Sequence, residues 1–155
     1  MKFIKLSLGS GFGSGLLPFA PGTWGSLLSL LPIYFLISSD NIFFLPAFVI
    51  VTSLLSLWAS PACEQEWGKD PGKLVMDEWA GQALTFVSIS FTGVLHSDLM
   101  TLGIGFILFR LFDILKPLGI NKLQKYEGGM GILLDDLLAG LYALICLKTL
   151  IFFLS

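Results

Sequence analysis

Charge is scarce in this chain. Of 155 residues only 13% are charged, while 55% are hydrophobic and the mean hydropathy is +0.85. A soluble domain of this size carries roughly 25% charged residues, so the composition points to a membrane rather than to water. Basic surplus is also missing. Nine Lys and Arg against eleven Asp and Glu leave a net charge of −2, which excludes a nucleic-acid binder on electrostatic grounds. Cysteine is limited to Cys63 and Cys146, far apart and without metal-ligand spacing, which excludes a disulfide framework. The first fifteen residues alternate polar and glycine-rich positions with no compact apolar core. No cleavable leader is therefore expected, and insertion would depend on the internal apolar runs. Neither a repeat nor a charged or Pro/Ser-rich linker divides the chain, so residues 1–155 read as one domain.

What is present is a series of apolar runs: Thr23–Ile37, Ile42–Ser60, Ala80–Leu95, Leu99–Leu115 and Ile132–Leu154. The second and fifth are long enough to cross a bilayer alone. The third and fourth are short and separated by His96, Ser97 and Asp98, as either two tilted spans or a re-entrant hairpin. Backbone groups in hydrocarbon must be paired within their own segment, so helices are expected throughout. The predicted fold is an all-α integral membrane bundle of about four to five apolar helices.

The charges sort by side. Lys2, Lys5, Lys69, Lys73, Arg110, Lys116, Lys122 and Lys125 all fall on one face under this topology, leaving Lys148 to snorkel from the last helix. That face is expected to be cytoplasmic. The same parity puts Asp77 and Glu78 at the start of run three, Asp113 at the end of run four, and Asp135 and Asp136 at the start of run five. Carboxylates driven into helix ends at the membrane border are costly, and five of them from three segments at one depth define a candidate site.

Each motif also has a plain structural reading. Asp77 and Glu78 suit the dipole of a helix start, but one acid would do that, and Gln82 and Thr85 extend a polar stripe from Glu78. Asp135 and Asp136 repel unless a cation lies between them, and Mg²⁺ is the usual hard ion in phosphate chemistry. Gly140 and Ala143, following Asp136 at i+4 and i+7, would let a neighbouring helix come close. Arg110 and Asp113 make an i, i+3 ion pair, and Arg110 is equally suited to a phosphate. In Pro18–Ser26, Thr23 is expected to cap a helix, and Gly22 to leave amides open to an anion. Gly9, Gly11, Gly13 and Gly15 read as flexible, with no complete Walker-type spacing. His96 falls on the far face, neither cysteine heads a C-x5-R loop, and no D-x-D-x-T motif occurs. Carboxylates with a metal remain as the hydrolytic apparatus.

Four blocks, in order, resemble the phosphatidylglycerophosphatase A family over nearly the whole chain: Ala20-Pro21-Gly22-Thr23-Trp24-Gly25-Ser26, Asp70–Gly81, Phe109–Pro117 and Gly128–Gly140. After Pro117 the family pattern of a second proline and then an acid is replaced by Leu118-Gly119-Ile120 and Gln124. The resemblance implies a Mg²⁺-dependent lipid phosphatase of the bacterial inner or plasma membrane, converting phosphatidylglycerophosphate to phosphatidylglycerol. On that basis Asp77, Glu78, Asp135 and Asp136 are the expected Mg²⁺ ligands, with Asp113 assisting. Arg110, Lys73 and Lys116 would grip the phosphate, aided by amides near Gly22 and Thr23. The expected partners are a phospholipid substrate and the bilayer, with no nucleic acid. A CDP-alcohol phosphotransferase would need a D-G-x2-A-R signature, which is absent. A small transporter or cation-binding subunit would need acids near the bilayer midplane.

Overall fold

Among the described residues the regular structure is six α-helices and one 3₁₀ turn, with no strand. The computed structural model describes residues 1–117, 119–120 and 128–154. The helices are α1 (Lys2–Gly9), α2 (Pro21–Ser38), α3 (Phe44–Trp67), α4 (Met76–Leu84), α5 (Leu95–Leu115) and α6 (Gly129–Leu154), with the 3₁₀ turn at Ser14–Leu16. Lys122, Lys125, Leu118 and Gln124 lie outside the described residues.

All five apolar runs contain a helix, and α1, outside those runs, brings the helices among the described residues to six. That helix alternates Lys2, Lys5 and Ser7 with Phe3, Ile4, Leu6 and Leu8, too polar and too short to register as an apolar run. It is held against α3, with Lys5 over the Trp58 ring and Lys2 paired with Glu66 at 2.6 Å. The glycines that follow are not a slack linker. Gly11 has φ +54, and Gly15 sits so close to the Lys73 carbonyl that no side chain would fit.

The third run is corrected in shape. Only nine residues are helical; Thr85, Val87, Ser88, Ile89 and Ser90 are weak helix formers, and Ser88 turns to φ +63. The run nevertheless crosses the bundle, since Ser88–Ser90 lie beside Asp40 at one side and Lys148 at the other. His96, Ser97 and Asp98 do not form the connection to run four. They occupy the first turn of α5, where buried Asp98 accepts hydrogen bonds from the Thr92 amide (2.8 Å) and hydroxyl (2.9 Å). An acid there also suits the helix dipole.

Short α4 is the centre of the bundle, packed by α2, α3, α5 and α6. Below it, Ala83 and Phe86 join Ile33, Ile37, Leu102 and Leu147 in the main core, with the Phe86 ring filling the space left by Gly105. The outer faces are apolar: Leu31 and Phe35 on α2, Ile50 and Leu54 on α3, Ile107 and Ile114 on α5, Ile145 and Ile151 on α6 are all exposed. Two helices, α3 and α6, are long and apolar enough to cross a membrane. Only 28% and 22% of their apolar windows are buried, the reverse of a helix at the core of a soluble protein. Cys63 and Cys146 are both free thiols.

Candidate active site

The five acids gather at one end of the bundle, around the start of α4. Glu78 faces α2 and α5. Its Oε2 is 3.1 Å from Arg110 Nη1 and 3.0 Å from the Ser26 hydroxyl, and Arg110 Nη1 lies 2.8 Å from Asp113 Oδ2. Arg110 Nη1 also reaches Ser26 Oγ at 3.3 Å. One guanidinium therefore ties α2, α4 and α5 together, and the intrahelical pair expected for Arg110 and Asp113 is only part of its work. Gly22 completes this corner: a Cβ there would collide with the Glu78 carboxylate.

Asp77 faces the other way, towards α6. It lies within hydrogen-bonding reach of Asp136 and within the electrostatic range of Asp135. Asp135 is paired with Lys116, the residue that ends α5 in the left-handed conformation at φ +44. Asp77, Asp135 and Asp136 are all buried. The contact that aligns them is a crossing of glycines. Gly81 packs against the Asp136 carbonyl, and Gly140 against the Gly81 carbonyl. Gly140 and Ala143 are both buried, Gly140 against this neighbour and Ala143 in a cluster with Phe109 of α5.

Nine residues of α4 are far too few to span a bilayer, so its acids sit within protein. Burial pushes the Asp77 carboxyl up to about 7, against the amides of Asp77 and Glu78 that favour its charge. Burial pushes Glu78 up to about 8, against the pull of Arg110. For Lys116, burial acts downwards, but the hydrogen bond and charge of Asp135 outweigh it and hold the ammonium above its ordinary value.

Other expected residues are placed differently. Lys73 is exposed, with its ammonium 5.8 Å from the Trp67 ring centre. Thr23 is not the cap of α2. Ala20, at φ +47, holds that position without a side-chain bond, Pro21 begins the helix, and the Thr23 amide already donates to the Ala20 carbonyl at 2.9 Å. His96 is exposed in the first turn of α5, at the opposite end of that helix from Arg110. By sequence alone Ser26 is only part of a helix-opening segment. Its place in the site had one sequence signal: Gly22, Ser26 and Ser29 form a small polar stripe, at i, i+4 and i+7, on an otherwise apolar helix.

Fit to a cation can be judged from the donors. Among the described residues no three His, Cys, Asp or Glu side chains already surround one metal position. Mg²⁺ does not require such a cage; it commonly takes one or two carboxylates and fills its octahedron with water and phosphate oxygens. Glu78, Asp113 and Asp135 each have a cationic partner. Asp77 Oδ1 is buried with no hydrogen-bond partner, an expense that a hard cation beside Asp136 would remove. The donor set fits Mg²⁺.

An all-helical protein with helices apolar enough to cross a membrane, and with buried carboxylates beside Arg and Lys, is the class that fold and site define. The sequence profile of phosphatidylglycerophosphatase A matches residues 7–151. A Haemophilus influenzae protein named phosphatidylglycerophosphatase A is 38% identical over 146 residues, covering 89% of this chain and 83% of its own. Its Escherichia coli namesake is 33% identical over 140 residues, covering 86% and 75%. A Bacteroides thetaiotaomicron protein, provisionally named phosphatidylinositol-3-phosphatase, is 36% identical over 148 residues, covering 93% and 91%. No solved structure matches. The chain belongs to the phosphatidylglycerophosphatase A family, and it is a phosphatase.

Proposed function

We propose that the chain hydrolyses the terminal phosphomonoester of phosphatidylglycerophosphate, giving phosphatidylglycerol and inorganic phosphate, with Mg²⁺ held by Asp77 and Asp136. The observation that carries this reading is the charge imbalance at the start of α4. Five acids converge there, and the side-chain cations paired with them are Arg110 and Lys116. Such an excess of negative charge, taken out of water, is relieved by bound protons or by a cation, and a divalent ion would displace the protons.

When bound, Mg²⁺ would offset the phosphate charge and make an attacking water more acidic. The chain's own residues do the rest. Glu78, Asp113 and Ser26 hold Arg110 in one orientation, so that its guanidinium meets the phosphate without a search for geometry. Asp135 does the same for Lys116. The water's oxygen forms the new bond to phosphorus as the ester P–O bond breaks, and the proton that the water gives up ends on the departing glycerol oxygen.

The basic residues favour a multi-pass arrangement with this end of the bundle at the cytoplasmic face of a bacterial inner or plasma membrane. The test is phosphate release by purified protein in detergent from phosphatidylglycerophosphate, with phosphatidylinositol 3-phosphate in parallel because of the Bacteroides relative. Mg²⁺-dependent release from the first lipid, lost in Asp136→Asn, is expected. Release from the inositol lipid alone would transfer the reading to that substrate. Release that persists after chelation would remove the metal from it.

A further inference from the structure

The geometry points to a seat for one acyl chain of the substrate in the groove between α2 and α5. This rests on the reading of the site as a lipid phosphatase. The groove has a volume of about 460 Å³, and Leu27, Leu31, Tyr34, Leu99, Leu102 and Gly103 are among its walls. What ties it to the chemistry is its position. α2 and α5 are the same two helices that meet at Ser26 and Arg110, 3.3 Å apart, in the acid cluster. From Ser26 to Leu30, also in the wall, is one helical turn, and from Arg110 to Gly103 about 10 Å at 1.5 Å per residue. A lipid with its terminal phosphate at Arg110 would need a spacer of that order, in the form of its glycerol and inner phosphodiester, before its first acyl carbons.

Length and opening agree. The α5 wall, Leu95 to Gly103, runs about 12 Å, close to half the ~30 Å hydrocarbon thickness. Gly103 keeps it open, because a Cβ there would have no neighbour within 4 Å. The second apolar groove on α2, lined by Leu17, Trp24 and Leu28, lies against the 3₁₀ turn and shares no wall with α5. Of these two grooves, the α2–α5 one alone is walled by the helix that carries Arg110.

Gly103→Phe fills the groove without meeting backbone. Kinetics would be measured with a dioleoyl substrate and with its deacylated, water-soluble head group. Ile145→Phe, on the exposed face of α6, serves as the control for added bulk. The expected result is about a tenfold fall in kcat/KM for the dioleoyl lipid only, the size of effect a methylene or two produces in an apolar pocket. An equal fall for both substrates, or none for the lipid, overturns the proposal. A separate readout uses phosphatidylglycerophosphate carrying a diazirine in one acyl chain, with the labelled residues located by mass spectrometry. Label on α2 and α5 that the unlabelled lipid competes away, and phosphatidylcholine does not, is expected; label spread over all outer faces overturns it. If that label appears but no phosphate is released, the seat stands and the phosphatase reading of the site fails.

Discussion

Gly81 and Gly140 meet backbone to backbone, and this contact sets the distance between Asp77 and Asp136. Each glycine lies four residues beyond an acid on its own helix, so the crossing and the carboxylates share a face. A Cβ on Gly140 would land on the Gly81 carbonyl, which is backbone and cannot swing aside. Gly140→Ala is therefore expected to cost about 1–3 kcal/mol, as overpacking does, and to lower phosphate release by more than tenfold through misplacement of Asp136. Thermal unfolding in detergent, alongside activity, checks both. Full activity with unchanged stability would mean that the helices part without disturbing the acids.

Asp77→Asn separates stability from chemistry. Replacing a buried carboxylate by an amide removes a like charge from beside Asp136 and Asp135, so the metal-free protein should unfold at the same temperature or higher. Turnover should fall by about a hundredfold or more, as for loss of a group acting in the transition state, and the stabilisation by Mg²⁺ should disappear. A variant that still gains wild-type stability from Mg²⁺ would place the ion elsewhere.

The same carboxylate gives a pH dependence with a definite sign. Its folded value of about 7 lies above the ordinary carboxylate range near 4, so the folded protein keeps a proton that the unfolded chain has lost. This contribution to stability is complete below about pH 4 and is lost as pH rises through about 7. Glu78, at about 8, extends the loss upwards. Without divalent ions the unfolding temperature should therefore be lower near pH 8 than near pH 6. Because Mg²⁺ competes with the proton on Asp77, its stabilising effect should be larger near pH 8. Calorimetry or a thiol-reactive melt at the two pH values decides; an equal Mg²⁺ effect at both would dissociate the ion from Asp77.

Much of this site was legible because membranes make carboxylates conspicuous. Asp77, Glu78, Asp113, Asp135 and Asp136 stood out against apolar runs, and simple alternation of sides brought them to one end. The division of labour among them was not legible. Nothing in the sequence says that Glu78 turns to Arg110 while adjacent Asp77 turns to Asp136, since that follows from α4 being enclosed on all sides. The additional helix and the early end of α4 were not legible for a related reason. α1 is stabilised by its packing on α3 and not by hydrophobicity, and α4 ends early because Thr85 to Ser90 hold helix poorly once Phe86 has found Gly105. Lys73, an expected phosphate ligand, lies in the non-helical residues 68–75 that precede α4, with its ammonium 5.8 Å from the Trp67 ring centre.

Arg110 distinguishes charge from geometry. Arg110→Met would leave Glu78 and Asp113 without their cation, and breaking a buried pair by removing one partner costs about 3–5 kcal/mol. Arg110→Lys keeps the charge but removes Nη1, the one nitrogen that reaches Ser26, Glu78 and Asp113. The lysine variant is expected to fold, with activity reduced about tenfold or more, and the methionine variant to be recovered poorly. Equal yields and equal activities for the two would remove Arg110 from both roles.

Gly22 offers a test by compensation. The Glu78 carboxylate occupies the space where a Cβ on residue 22 would project, next to Ser26 on the same face of α2. In Gly22→Ala the helix backbone stays and the carboxylate must move, taking with it the hydrogen bonds to Ser26 and Arg110. Activity should drop about tenfold or more, since displacements on the order of 1 Å carry such costs. Glu78→Asp draws the carboxylate back by one methylene and, alone, should also weaken the contact with Arg110. Combined with Gly22→Ala, the shorter acid leaves room for the new methyl group. The double variant should then be more active than the sum of the two losses predicts, with a coupling of about 1 kcal/mol or more in a double-mutant cycle. Strictly additive losses would mean that Glu78 does not rest on Gly22 while the enzyme turns over, and that the corner formed by α2, α4 and α5 opens during the reaction.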